Sequence, residues 1–131
     1  MDVTAIQAKL RLFAHDRDWE QYHTPKNLSM ALSGEAAELL EIFQWMTPEE
    51  SLAVKDVPNL KQQVEEEIGD VINYVLRIAD VLDIDLEHAT WHKNEYNLQT
   101  YLDHYVMNEG LREVLDIVHR QRRNYGSTPK I

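Results

Sequence analysis

Apolar residues recur along the chain at helical spacing, and no stretch alternates apolar and polar residues long enough to argue for strands. The first periodic segment spans about 3–21, with Ile6, Leu10 and Phe13 on one face. Thr24-Pro25 restarts the chain, because threonine is a good N-cap and proline suits the first helical position. A helix over about 25–46 follows. Thr47-Pro48-Glu49-Glu50 repeats the start signal, with Glu50 placed to close a capping box. That turn is predicted to be short, ending before Val57-Pro58. Longer helices are predicted over about 59–83, over about 86–107 with Asp85 as cap, and over about 111–125, between Gly110 and Gly126. The fold class implied is all-α, a helical bundle.

One stripe is interrupted. In "SGEAAELLEIFQW", Ser33 to Trp45, the residues Leu39, Ile42 and Phe43, with Met46 just beyond, define an apolar face, and Glu35 falls in its middle. A weak internal repeat makes this harder to dismiss. Adding 32 converts Leu28, Leu32, Leu39, Phe43 and Met46 into Leu60, Val64, Val71, Val75 and Ile78. The same shift converts Glu35 and Glu38 into Glu67 and Asp70. Both helices therefore break their stripe with a carboxylate at one phase and add a second carboxylate one turn later.

Residues three apart share a helix face. If the two helices pack antiparallel through their stripes, Glu35, Glu38, Glu67 and Asp70 meet inside the bundle. Two unit charges 4 Å apart repel by about 4 kcal/mol at an effective dielectric near 20. Either protons or a cation must relieve this, and no basic residue lies between the pairs on its helix. An all-oxygen set of hard ligands suits Mg²⁺ or Mn²⁺. The plainer reading is glutamates at stripe edges with their heads in water. A ferritin-like di-iron bundle would need Glu-x-x-His on its helices. Here the matched motifs end in Glu38 and Asp70, and the Glu20–His23 spacing falls outside the repeat.

The remaining polar candidates are weaker. His88 and His92 stand at i, i+4, either a transition-metal pair or a polar helix face. No glycine-rich phosphate loop is present. Lys93, Asn97 and Tyr101 form a polar stripe at i, i+4, i+8, a solvated face or a phosphate contact.

Composition narrows the class. The chain has 131 residues, which suits a single domain spanning 1–131, and 44% hydrophobic content is enough for a core. No apolar run approaches the roughly 18 residues a membrane span needs. "MDVTAIQAKL" has no basic stretch followed by an apolar one, so no secretory signal is expected. The absence of cysteine removes disulfides, thiol nucleophiles and thiolate metal sites, and fits a cytoplasmic protein. A formal net charge of −10 argues against nucleic acid and anionic membranes as partners. Basic residues do gather near the end, at Arg112, Arg120, Arg122, Arg123 and Lys130, as a helix terminus or as a phosphate or subunit contact.

With these residues in place, "RDWEQYHTPKNLSMALSGEAAELLEIFQW" (Arg17 to Trp45) and "VEEEIGDVINYVLRIADVLDIDL" (Val64 to Leu86) closely resemble the MazG-like all-α nucleoside triphosphate pyrophosphohydrolases, in particular their dCTP pyrophosphatase branch. Glu35, Glu38, Glu67 and Asp70 match the family's Glu-x-x-Glu…Glu-x-x-Asp pattern, and Lys93, Asn97 and Tyr101 resemble its downstream element. The resemblance covers about residues 5–101. Leu102 stands where the family commonly has proline, and 103–131 has no evident counterpart. It implies a four-helix-bundle-type unit with an additional C-terminal helix. It further implies Mg²⁺-dependent hydrolysis of a dNTP, dCTP or modified dCTP favoured, to the monophosphate and pyrophosphate, as a house-cleaning activity. The four carboxylates would hold the metal and carry catalysis. Lys93, Asn97 and Tyr101 would touch phosphates. Trp19, His23, Trp45 and Tyr74 would form the base pocket, with Lys26 and Asn27 facing the same cleft, although core packing also accounts for Trp19 and Trp45. A homo-oligomer, dimer or tetramer, is expected. The competing expectation is a non-catalytic helical module whose carboxylates bind a structural divalent cation or a basic partner.

Overall fold

In the computed structural model of the protein, the described residues are 1–104 together with 113, 116, 117 and 120. Among them all regular structure is helical: α1 (Val3–His15), α2 (Pro25–Phe43), α3 (Pro48–Ala53), α4 (Pro58–Val81) and α5 (Leu86–His104). Single 3-10 turns occupy Glu20–Tyr22 and Val54–Asp56. The predicted helix over 111–125 lies largely outside the described residues, as does most of 103–131. No described helix is long and apolar enough to cross a membrane.

The helix starts are written in the sequence. Asp2 caps α1, its Oδ1 accepting from the Ala5 N–H at 2.9 Å. Thr24 caps α2 by accepting from the Asn27 N–H at 3.2 Å, with Pro25 as the first helical residue. At α3 the capping box is complete. The Glu50 N–H donates to Thr47 Oγ1 at 3.2 Å, and the Thr47 N–H donates to Glu50 Oε2 at 2.8 Å.

The ends are not where periodicity puts them. The first helix stops at His15 instead of continuing to 21, because Asp18 takes a left-handed backbone, φ 54°. The Trp19 N–H then donates to the Ala14 carbonyl at 2.9 Å and the Asp18 N–H to the His15 carbonyl at 3.0 Å. These are the paired bonds of a Schellman motif. The same motif closes α4. Asp83 has φ 53°, the Ile84 N–H donates to the Ala79 carbonyl at 2.8 Å, and the Asp83 N–H donates to the Asp80 carbonyl at 3.4 Å. An aspartate occupies the position usually given to glycine in both. The second helix also ends early, at Phe43, so Trp45 and Met46 sit in the turn before α3.

The chain forms two compact units, Met1–Leu86 and Glu87–Ile131. In the first, α4 is the central helix and both α1 and α2 pack on it. Helix α2 runs antiparallel to α4: His23, just before α2, meets Arg77, Glu35 senses Asp70, and Glu41 senses Glu67. Helix α1 runs parallel to α4, since Gln7 reaches the Leu76 carbonyl and Arg11 reaches Asp80. Ala14, Leu28, Val54, Leu76 and Ala79 are the buried apolar residues. Complete burial of Leu28 and Leu76 contributes about 1.5–3 kcal/mol each. Helix α5 begins at Leu86, one residue after Asp85, and continues into the second unit.

Candidate functional site

The antiparallel crossing of α2 and α4 brings the repeated carboxylates together. Glu35, Glu38 and Glu67 each offer an oxygen, and these oxygens lie within 4.8 Å of one another. Asp70, one turn beyond Glu67, acts electrostatically on both Glu35 and Glu67. Glu35 and Glu67 are half-buried, whereas Glu38 and Asp70 are exposed.

No described side chain neutralises this cluster. Among the described residues, none of the four carboxylates forms a hydrogen bond or an ion pair with lysine, arginine or histidine. Desolvation, followed by the charges of Glu38, Asp70 and Glu67, holds Glu35 above the ordinary carboxylate range. Glu67 is raised likewise, by desolvation first and then by Glu38 and Asp70. Close carboxylate oxygens without a counter-charge form the donor set that a hard divalent cation takes. The residues present therefore fit such an ion.

Beside the cluster, Asp70 and Tyr74 enter the wall of a cleft of about 420 Å³ between α1, the Glu20–Tyr22 turn and α4. Trp19 and His23 also line it, their ring centroids 6.4 Å apart. Phe13 meets Trp19 edge-on, at 5.7 Å and 71°, and the Arg17 guanidinium lies 3.5 Å from the Phe13 ring centroid. Lys9 and Arg77 supply positive charge, and Leu10 and Asn73 complete the lining. Desolvation, then Glu35 and Asp70, raise the Tyr74 hydroxyl above its usual value, which keeps it a neutral hydrogen-bonding group. His23 is pushed below its ordinary value by burial and by Arg77, against a smaller opposing effect of Glu20.

Of the residues singled out for base contact, Trp19, His23 and Tyr74 line this cleft, and Lys26, Asn27 and Trp45 do not. Asn27 donates from Nδ2 to the Tyr22 carbonyl at 3.0 Å and so ties the 3-10 turn to α2. Lys26 is exposed at the start of α2. Trp45 is 89% exposed in the turn after α2. Lys93, Asn97 and Tyr101 share a face of α5 in the second unit, where Lys93 Nζ lies 4.7 Å from the Tyr96 ring centroid. His88 and His92 stack there at 6.0 Å.

Sequence reasoning passed over Phe13, Asn73 and Arg77. The signal for two of them was present: Asn73 and Arg77 lie three and seven residues after Asp70, on the face that carries it.

Among the described residues, an all-α unit thus carries three convergent carboxylates, with Asp70 one turn beyond, beside an aromatic cleft, and relatives say which class this is. No family model matches the chain. The chain is 40% identical over 103 residues to dCTP pyrophosphatase 1 of Rattus norvegicus and 38% identical over 103 residues to that of Homo sapiens, in each case 79% of this chain. It spans 59% of the length of those curated relatives. A solved pyrophosphatase from Archaeoglobus fulgidus superposes with a TM-score of 0.70 at 41% identity, covering 77% of this chain and 93% of that one. The chain belongs to the MazG-like all-α nucleoside triphosphate pyrophosphohydrolases, in the branch that includes the dCTP pyrophosphatases.

Proposed function

We propose that the protein is a Mg²⁺-dependent dNTP pyrophosphohydrolase that converts dCTP or a modified dCTP to the monophosphate and pyrophosphate. The observation that carries this reading is the meeting of Glu35, Glu38 and Glu67 oxygens within 4.8 Å, adjoining an aromatic cleft through Asp70. The names of the relatives support the choice of nucleotide.

Glu35, Glu38, Glu67 and Asp70 would hold the metal. Bound there, Mg²⁺ would offset phosphate charge and make water a stronger nucleophile. A carboxylate oxygen of the set left free takes the proton of the attacking water. Trp19 offers a face for a flat base, and His23 and Tyr74 offer polar atoms at its edge. Lys9 and Arg77 add positive charge to the cleft. Lys93, Asn97 and Tyr101 are assigned to phosphate contact. Trp45, Lys26 and Asn27 are assigned to the substrate of a neighbouring subunit in a dimer or tetramer. The exposure of Met30, Leu40, Trp45 and Leu52, between 60% and 89%, supports a partner surface there. Residues 1–131 then act as one functional domain, with a core over 5–101 and an extension over 103–131, in the cytoplasm.

The test is incubation with each dNTP and Mg²⁺, followed by detection of pyrophosphate and the matching monophosphate. Glu38→Gln should lower turnover by at least about 100-fold with the helical spectrum retained, because a lost metal ligand removes several kcal/mol of transition-state stabilisation. Folded wild-type protein that turns over no nucleotide would end the enzyme reading.

A further inference from the structure

A buried arginine has to find acceptors, because its charge is costly away from water. Arg77 is 9% exposed. Its Nη1 donates to Asp80 Oδ2 at 2.8 Å, and its Nε donates to His23 Nδ1 at 3.1 Å. The other Asp80 oxygen is held by Arg11 of α1. The guanidinium plane is thus fixed by an aspartate that is itself anchored to a second helix.

This arrangement decides the proton on His23. A guanidinium carries donors and no acceptor. Its partner nitrogen, Nδ1, must present a lone pair. In a neutral imidazole the proton then resides on Nε2. The neighbours oppose a second proton, since the ring is half-buried beside the Arg77 charge, against a smaller opposing effect of Glu20. His23 and Arg77 both line the cleft, together with Trp19, Tyr74, Asn73 and Asp70.

We propose that Arg77 is a positioning residue: it locks His23 in the Nε2–H tautomer, so that the cleft offers a fixed N–H donor and favours a nucleobase edge that presents an acceptor. This rests on the reading of the cleft as a nucleotide site. A free histidine can turn either a donor or an acceptor towards a ligand. The locked ring can only donate. A ring nitrogen or carbonyl oxygen at that position gains a hydrogen bond, and an exocyclic amine there gains none.

The tautomer is measurable without any nucleotide. In ¹⁵N-imidazole-labelled protein, long-range proton–nitrogen spectra at neutral pH should show His23 with a protonated Nε2 and an unprotonated Nδ1. His23→Gln assigns the signals. A proton on Nδ1, an even mixture of tautomers, or a charged ring in the wild type overturns the proposal. Arg77→Met removes the donor and should mix the tautomers. The affinity for dCMP should fall about five-fold, the scale of one ordinary hydrogen bond. Mixed tautomers with unchanged dCMP affinity would overturn the donor role. Asp80→Asn loosens the same guanidinium and serves where Arg77→Met does not fold. Wild-type protein with the lock intact but no affinity for dCMP would overturn the nucleotide reading, and the donor role with it.

Discussion

At the scale of single residues, the candidate site is marked by charges without a partner among the described residues. Glu35 and Glu67 have carboxyl groups raised above the ordinary range because each is desolvated and faces other carboxylates. In the metal-free protein this costs stability, and the sign follows from linkage. A raised folded-state value means that the folded protein binds more protons than the unfolded chain between the two values. The stability so gained is fully present below the unfolded value and is lost as pH rises through the raised folded value. In chelator, the melting temperature of the wild type should therefore fall on going from about pH 5 to neutrality, relative to Glu35→Gln. The Gln variant should be the more stable of the two at neutral pH. Thermal denaturation of both proteins across that range decides the matter, and identical profiles would remove the repulsion. The meeting of Glu35, Glu38 and Glu67 was legible in the sequence because a charge that breaks an apolar stripe twice, at one phase, is hard to place by packing alone. The place of Arg77 on the Asp70 face was legible, but its hydrogen-bond partners were not. Its partners are His23, 54 residues away, and Asp80, on its own helix, and a stripe analysis has no means to pair an arginine with a distant ring.

At the scale of elements, starts and stops differ in how openly they are encoded. The Thr-Pro starts of α2 and α3 are stated by local chemistry, and both form as written. The stops of α1 and α4 depend on Asp18 and Asp83 in a left-handed conformation, which aspartate adopts less readily than glycine. The expectation that α1 would continue to 21 failed for that reason: no glycine marks the turn, and Trp19 and Tyr22 keep the apolar pattern going past it. The turn shapes the cleft, because it redirects the chain so that Trp19 and His23 come to line it. The two caps are not equivalent as targets. Asp18 Oδ2 also accepts from Gln21 Nε2 at 2.9 Å, whereas Asp83 forms no such side-chain bond among the described residues. Asp83→Gly should therefore stabilise the protein by about 0.5–1 kcal/mol, the left-handed penalty relieved less the added freedom of the unfolded chain. Chemical denaturation would register this as a higher midpoint at an unchanged slope. A midpoint that falls would show that the aspartate side chain contributes more than its backbone strain costs.

At the scale of the whole molecule, the net charge of −10 sets a difficulty for an acidic substrate and for any test of metal binding. A triphosphate would approach such a surface only where positive charge is concentrated, and on the proposed reading cations at the carboxylate cluster would supply it. Yet every salt screens a net charge of this size, so stabilisation by Mg²⁺ is not by itself evidence of a site. The two effects separate by their form. Screening depends on ionic strength and acts on all exposed charges, and NaCl reproduces it. Site binding saturates and follows RT ln(1 + [L]/Kd), which reaches about 2.7 kcal/mol at 100 times Kd. Mg²⁺ should accordingly raise the melting temperature well beyond NaCl at matched ionic strength. The excess should vanish in a protein lacking both Glu38 and Glu67 carboxylates, written Glu38→Gln with Glu67→Gln. That double variant also loses two negative charges, so its own melting temperature in chelator should lie above that of the wild type. The cluster therefore predicts opposite effects from the same substitutions: stabilising when metal is absent, and abolishing the stabilisation when it is present. Differential scanning calorimetry in chelator, NaCl and MgCl₂ reads both at once. If NaCl matches MgCl₂ in the wild type, the carboxylates are a solvated acidic patch and not a metal site.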